Sequence, residues 1–190
     1  MVEGIHAIFN NATLRTALVR LRAPLFVLAA VALIPLIDRA WFWPGLAVSF
    51  FGQFIQLWCF ASLDKNQALA ASGPYALVRN PMYLGRYFIV LGAVMLPGEA
   101  WLLPVITVIY YFYMVNRVKR EEKLLQKVLG APYAAYCGEV RRFLPSLRPY
   151  RGNPVAYFRW DLLRQNNGLR NFAFLAAFYA VAWVFTMMRA

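Results

Sequence analysis

The sequence predicts an all-α protein: a polytopic membrane bundle of about five transmembrane helices with a cytosolic helical segment. Three observations carry that expectation. The 190-residue chain is 62% hydrophobic and 15% charged, with a mean hydropathy of +0.50, which is more apolar surface than a soluble domain of this size needs. Apolar runs recur between short polar breaks. The formal charge of +12 comes from basic residues clustered beside those runs. That placement suits anionic headgroups and the positive-inside rule better than nucleic acid.

The elements follow in order along one domain, 1–190. Residues 1–22 are polar and end basic, with Arg15, Arg20 and Arg22. The apolar run from Ala23 to Ile37 is short for a span, so its helix is expected to begin near Leu14. Asp38 and Arg39 mark a turn, and Trp41 and Trp43 read as interfacial aromatics. Gly45 to Ser62 is a second span with Gln53 and Gln56 on one face. Leu63 to Asn80 is a polar loop. Pro81 to Pro97 is a third span, Gly98-Glu99 a tight turn, and Trp101 to about Asn116 a fourth, so the third and fourth form a hairpin. The fourth helix is expected to run on beyond the bilayer, because Leu124, Leu125, Val128 and Leu129 recur at helical spacing. Gly130 and Pro132 stop it. Residues 154–166 read as an interfacial helix of aromatics interleaved with Arg159 and Arg164. Asn171 to Met188 is the fifth span.

Charge sets the expected orientation. Residues 117–170 hold twelve of the twenty Lys and Arg residues against four acids. The basic segments fall on one side, which places the N-terminus and the polar segments in the cytosol and the C-terminus outside, in an inner or plasma membrane. Anionic lipids are the expected surface partners, and no obligate protein partner is inferred. Cys59 and Cys137 lack metal-ligand spacing and lie far apart in this topology, so neither a metal site nor a disulfide is expected. His6 is the only histidine and reads as a terminal residue, which removes histidine-based catalysis. No cleavable signal peptide is expected, since no basic region, apolar core and small-residue site follow one another at the start.

The residues that could carry chemistry cluster around the polar loop. Asn80-Pro81 is a helix-start signal: Asn caps and Pro fits the first turn. Such an end is complete as structure, yet it also presents free N–H groups to an anion, with Arg79 beside it. Arg86 lies about one turn inside the third span, where a charge must snorkel, pair or face a wet cavity. Glu121 and Glu122 are its candidate partners. They read equally as surface acids balanced by Lys119 and Lys123, or as carboxylates for ribose hydroxyls or an ammonium. Tyr133 and Tyr136 share a helix face, suited to ordinary packing or to a sulfonium.

Order and spacing join these pieces. Gly73 and Tyr75 precede Arg79-Asn80-Pro81-Met82-Tyr83-Leu84-Gly85. Then come Arg117, Glu121 and Glu122, next Gly130, Tyr133 and Tyr136, and last Val140-Arg141-Arg142-Phe143-Leu144-Pro145. Over a core of about residues 70–147 this resembles the isoprenylcysteine carboxyl methyltransferase and phospholipid methyltransferase superfamily of membrane enzymes. Asn80 stands where that superfamily usually has His, and Arg141 where it usually has Pro. Asn can donate a hydrogen bond but cannot carry a proton near neutral pH.

The resemblance implies S-adenosylmethionine as cofactor and a lipophilic acceptor entering from the bilayer. It implies a cofactor site of Tyr75, Arg79, Asn80, Tyr83, Leu84, Gly85, Glu121, Glu122, Tyr133 and Tyr136, with Arg142 and Arg86 on the catalytic side. Two other readings stay open. One is a nicotinamide-dependent membrane reductase resembling the C-terminal region of sterol reductases. The other is a catalytically silent lipid-binding protein.

Overall fold

The computed structural model describes residues 11–64 and 69–189, and His6 lies outside them. The described residues form seven α-helices: α1 (Ala12–Leu33), α2 (Arg39–Ser62), α3 (Pro81–Met95), α4 (Leu102–Leu129), α5 (Ala131–Glu139), α6 (Trp160–Gln165) and α7 (Gly168–Met188). No strand occurs among the described residues.

Among the described residues two helices, α2 and α7, are long and apolar enough to cross a membrane. The expected five spans are not all supported, and helix length is the reason. The 15 residues of α3 reach about 22 Å, short of a hydrocarbon core of about 30 Å. The apolar stretch Val27–Leu36 is shorter still and ends in a 3₁₀ turn at Ile34–Leu36. The α4 helix is long, but its second half is charged.

The second helix starts six residues earlier than its apolar run suggests, because the Asp38 carboxylate caps it, accepting from Ala40 N at 2.8 Å. Two turns need glycine. Gly98 (φ +76°) joins α3 to α4, and Gly130 (φ +60°) ends α4 after it has run far past its apolar part. The expected interfacial helix is shorter than 154–166. Only Trp160–Gln165 is helical, because the preceding backbone is committed elsewhere. Gly73 N donates to Pro154 O (2.9 Å) and Arg159 N to Ala61 O (3.0 Å). The Tyr157 carbonyl accepts from Ser62 Oγ at 2.9 Å and from Trp58 Nε1 at 3.2 Å.

The tightest packing is between α2 and α3, and glycines allow it. A Cβ on Gly52 would run into the Gly85 carbonyl and stand 2.7 Å from Ile89 N. A Cβ on Gly45 would stand 2.7 Å from Gly92 O. The two helices therefore meet backbone to backbone at two places seven residues apart, as small-residue contacts allow within membranes. Gly85, expected at the cofactor site, belongs to this contact and faces α2. Nearby, Ser49 Oγ donates to Ile89 O (3.0 Å) and lies 2.7 Å from the Tyr179 hydroxyl, which joins α7 to the pair.

Candidate active site

The bundle has two ends. Asp38 and the Gly98 turn lie at one. The start of α3, the charged half of α4, α5 and the segment after it gather at the other. Their meeting point is Glu122, 8% exposed. Glu122 Oε1 accepts from Asn80 Nδ2 at 3.1 Å and lies 3.4 Å from Arg79 Nη1. Glu122 Oε2 accepts from Arg142 Nε (2.9 Å) and Nη2 (2.6 Å). One carboxylate thus ties three segments that lie up to 63 positions apart in sequence.

Backbone bonds hold those segments in register. Arg79 N donates to Arg141 O (2.9 Å), and Ser146 N donates to Leu77 O (2.7 Å). Arg141, which replaces the superfamily's usual proline, therefore serves through its carbonyl. Asn80 occupies the cap position of α3, but its side chain makes no cap hydrogen bond. The amide is instead spent on Glu122 and on the Arg142 carbonyl (3.3 Å). A local helix-start signal proves to be a long-range tie.

Glu121 behaves differently. It pairs with Arg117 at 2.9 Å one turn back, with both side chains about two-fifths exposed (39% and 43%). Arg117 Nε also reaches the Tyr83 hydroxyl at 3.2 Å. Tyr83 is buried against Tyr110, Met114 and Val118 of α4, and its carbonyl accepts from the Tyr110 hydroxyl at 2.7 Å. Tyr110 was not singled out by the sequence, where it is one aromatic in an apolar run.

Tyr133 and Tyr136 share the buried face of α5 with Ala71, Val140 and Tyr150. The Tyr136 hydroxyl donates to Tyr75 O at 2.6 Å, which fixes the Gly73–Ala76 turn. Burial raises the pKa of both tyrosines above the ordinary tyrosine value, so their hydroxyls stay protonated. The hydrogen bonds to Glu122 raise Arg142 above the usual arginine value.

Arg86 does not pair with either acid, contrary to one expectation, because Glu122 is taken by Arg79 and Arg142 and Glu121 by Arg117. Its guanidinium lies over the Tyr83 ring (5.4 Å to the centroid) and donates to Met82 Sδ (3.3 Å). Tyr75, Arg79, Asn80, Tyr83, Glu121, Glu122, Tyr133, Tyr136 and Arg142 all come to this end of the bundle. Leu84 is half-buried on α3 with no polar contact to give it.

These features define a helical protein with two helices long and apolar enough to cross a membrane and a charged cluster at one end of its bundle. The chain belongs to the phospholipid methyltransferase family, whose model matches residues 26–132. That family is one of membrane-embedded methyltransferases with lipid-type substrates. It is also similar to the cobalt-zinc-cadmium resistance protein CzcN of Cupriavidus metallidurans, 28% identical over 99 residues. That match covers 51% of this chain and 45% of the relative, so this chain spans less than half of that protein's length. No solved structure matches the chain.

Proposed function

We propose that this protein transfers a methyl group from S-adenosylmethionine to a lipophilic acceptor held in the bilayer. The observation that carries the reading is Arg79. Its guanidinium is 14% exposed, and its Nε is buried with no partner of its own. A buried donor without an acceptor is costly, and a carboxylate such as that of the cofactor's amino-acid part would satisfy it. Asn80, Tyr75, Tyr83 and Leu84 then line the cofactor site. Glu121, paired with Arg117 and about two-fifths exposed, is the freer acid for ribose hydroxyls, while Glu122 holds the walls. Tyr133 and Arg142 close the site, and the neutral phenols of Tyr133 and Tyr136 suit a neighbouring cation.

When bound, the cofactor supplies a methyl group on a positively charged sulfur, which leaves as a neutral thioether once the acceptor's lone pair has taken the methyl. The chain's share is to position the reactants and exclude water. A carboxylate or thiolate acceptor needs no base, which suits a site built from arginines, tyrosines, Asn80 and two paired acids. An amine acceptor would have to lose its proton first.

The site faces the cytosol of an inner or plasma membrane in this reading. Arg141, Arg148, Arg151, Arg159, Arg164 and Arg170 are all exposed and would meet anionic headgroups there. Calorimetry on the purified full chain tests the reading. S-adenosylhomocysteine should bind and NADPH should not. NADPH binding without S-adenosylhomocysteine binding would favour the reductase, and binding of neither would leave a silent lipid-binding protein.

A further inference from the structure

At the end of the bundle away from Glu122, the Ile34–Leu36 turn, the start of α2 and the end of α7 border a cavity of about 170 Å³. Ile34, Ile37, Arg39, Phe185, Thr186 and Arg189 line it. Two of these residues are cations and none is an acid. Neither arginine has an ion pair among the described residues. Arg189 Nη1 donates to Pro35 O, and its guanidinium lies 4.8 Å from the centre of the Phe185 ring. Each guanidinium carries five N–H donors, so most of those at this cavity still face it without an anion.

The acids of this end are spent elsewhere. Asp38 Oδ1 accepts from Ala40 N at 2.8 Å, and its Oδ2 lies toward Gly98, where an added Cβ would stand 3.1 Å from it. Glu99 Oε2 accepts from Trp101 Nε1 at 3.1 Å. Thr186 gives its hydroxyl proton to Ala182 O at 2.7 Å. The two arginines therefore set the polar chemistry of the cavity. Like charges sharing one cavity repel, and an anion between them relieves the repulsion. The rest of the wall is apolar, and the exposed side chains of Leu36, Val184 and Met188 flank it in sequence. An anion with an apolar tail meets both kinds of surface, whereas a free ion meets only the arginines. The 24 residues of α2 put this end about 36 Å from the Ser62 end. A headgroup held here cannot also reach the Glu122 cluster.

We propose that Arg39 and Arg189 hold the phosphate of an anionic phospholipid in the leaflet at this end, a bound lipid that fastens α7 to the start of α2 and is not methylated. The planar fork of arginine matches a phosphate. The chains would lie along the apolar flank. This site is separate from the open arginine surface around α6, which lies at the other end of α2 and α7. The inference needs α2 and α7 to cross the membrane, as their length and composition allow. It does not depend on methyl transfer.

The test is the unfolding midpoint of the full chain in a neutral detergent, titrated separately with dioleoylphosphatidylglycerol, dioleoylglycerol and inorganic phosphate. A ligand that binds only the folded chain raises the midpoint. Phosphatidylglycerol should raise that of the wild type, at about a tenth or less of the concentration that inorganic phosphate requires. Dioleoylglycerol, which has the chains without the phosphate, should not. The double variant Arg39→Gln/Arg189→Gln should need about ten- to a hundredfold more phosphatidylglycerol for the same rise. Both side chains are exposed, so the variant should fold as the wild type does. Arg148→Gln/Arg164→Gln removes two exposed arginines away from the cavity and should respond like the wild type. An unchanged response in Arg39→Gln/Arg189→Gln would overturn the proposal, as would a response lost only in Arg148→Gln/Arg164→Gln. Equal stabilisation by dioleoylglycerol would remove the phosphate from the account. Inorganic phosphate acting as well as phosphatidylglycerol would make this a site for a free anion and overturn the lipid.

Discussion

Replacing Glu122 with alanine should destabilise the protein far more than the same change at its neighbour Glu121. Glu122 has two arms. The arm to Arg79 and Asn80 is mostly buried, with the carboxylate 10% and Arg79 14% exposed. Losing hydrogen bonds to a charged group there costs about 1.5–3 kcal/mol. The Arg142 arm reaches a guanidinium 42% exposed, so water screens it and it contributes about 0–1 kcal/mol. Together the loss is about 1.5–4 kcal/mol, or roughly 3–16 °C in the unfolding midpoint of a chain this size. The Glu121–Arg117 pair is 39% and 43% exposed, and its loss should cost under about 1 kcal/mol. Thermal unfolding of both variants in the same detergent, followed by intrinsic fluorescence, measures the difference. Equal midpoints for Glu121→Ala and Glu122→Ala would refute Glu122 as the tie between the three segments.

Gly52→Val should cost about 1–3 kcal/mol or prevent assembly, since a Cβ there meets the backbone of α3; an unchanged midpoint would deny the close approach of α2 and α3. Asn80→His should keep S-adenosylhomocysteine binding, because an imidazole N–H can still donate to Glu122, whereas Asn80→Leu should weaken binding about tenfold. The opposite ranking in calorimetry would remove the tie as the reason for Asn80. Reporter fusions after Arg170 and Ala190 should lie on opposite sides of the membrane, since α7 is the more apolar of the two long helices. Finding both on one side would mean that α7 does not cross.

Much of this was legible in the sequence because helix signals are local. Pro81 and Gly130 place the start of α3 and the end of α4 without reference to anything distant. The order of the Arg79, Glu122 and Arg142 segments singled out the stretches that meet at Glu122, although no single segment did. What stayed hidden is the pairing. Asn80 beside Pro81 reads as a cap, and nothing nearby says that its amide is spent on a carboxylate 42 positions away. The adjacency of Glu121 and Glu122 could not tell which acid is buried and which is half open. That is decided by Arg142, which arrives after α5. Arg86 looked like a natural partner for these acids because both stand at the ends of one hairpin, but nearer arginines take them. The α2–α3 contact did leave a signal: Gly45 and Gly52 repeat the seven-residue spacing of Gly85 and Gly92. The limits of the 154–166 segment left none, since its extended half is fixed by backbone partners in α2 and at Gly73.

Incubating the purified protein with methyl-labelled S-adenosylmethionine and a membrane lipid extract, then counting label in the organic phase, tests the central claim most directly. The account predicts a labelled, lipid-soluble product that requires the wild-type chain and falls sharply in Arg142→Ala. A wild-type chain that binds neither S-adenosylmethionine nor S-adenosylhomocysteine, and leaves the organic phase unlabelled across lipid classes, would contradict it.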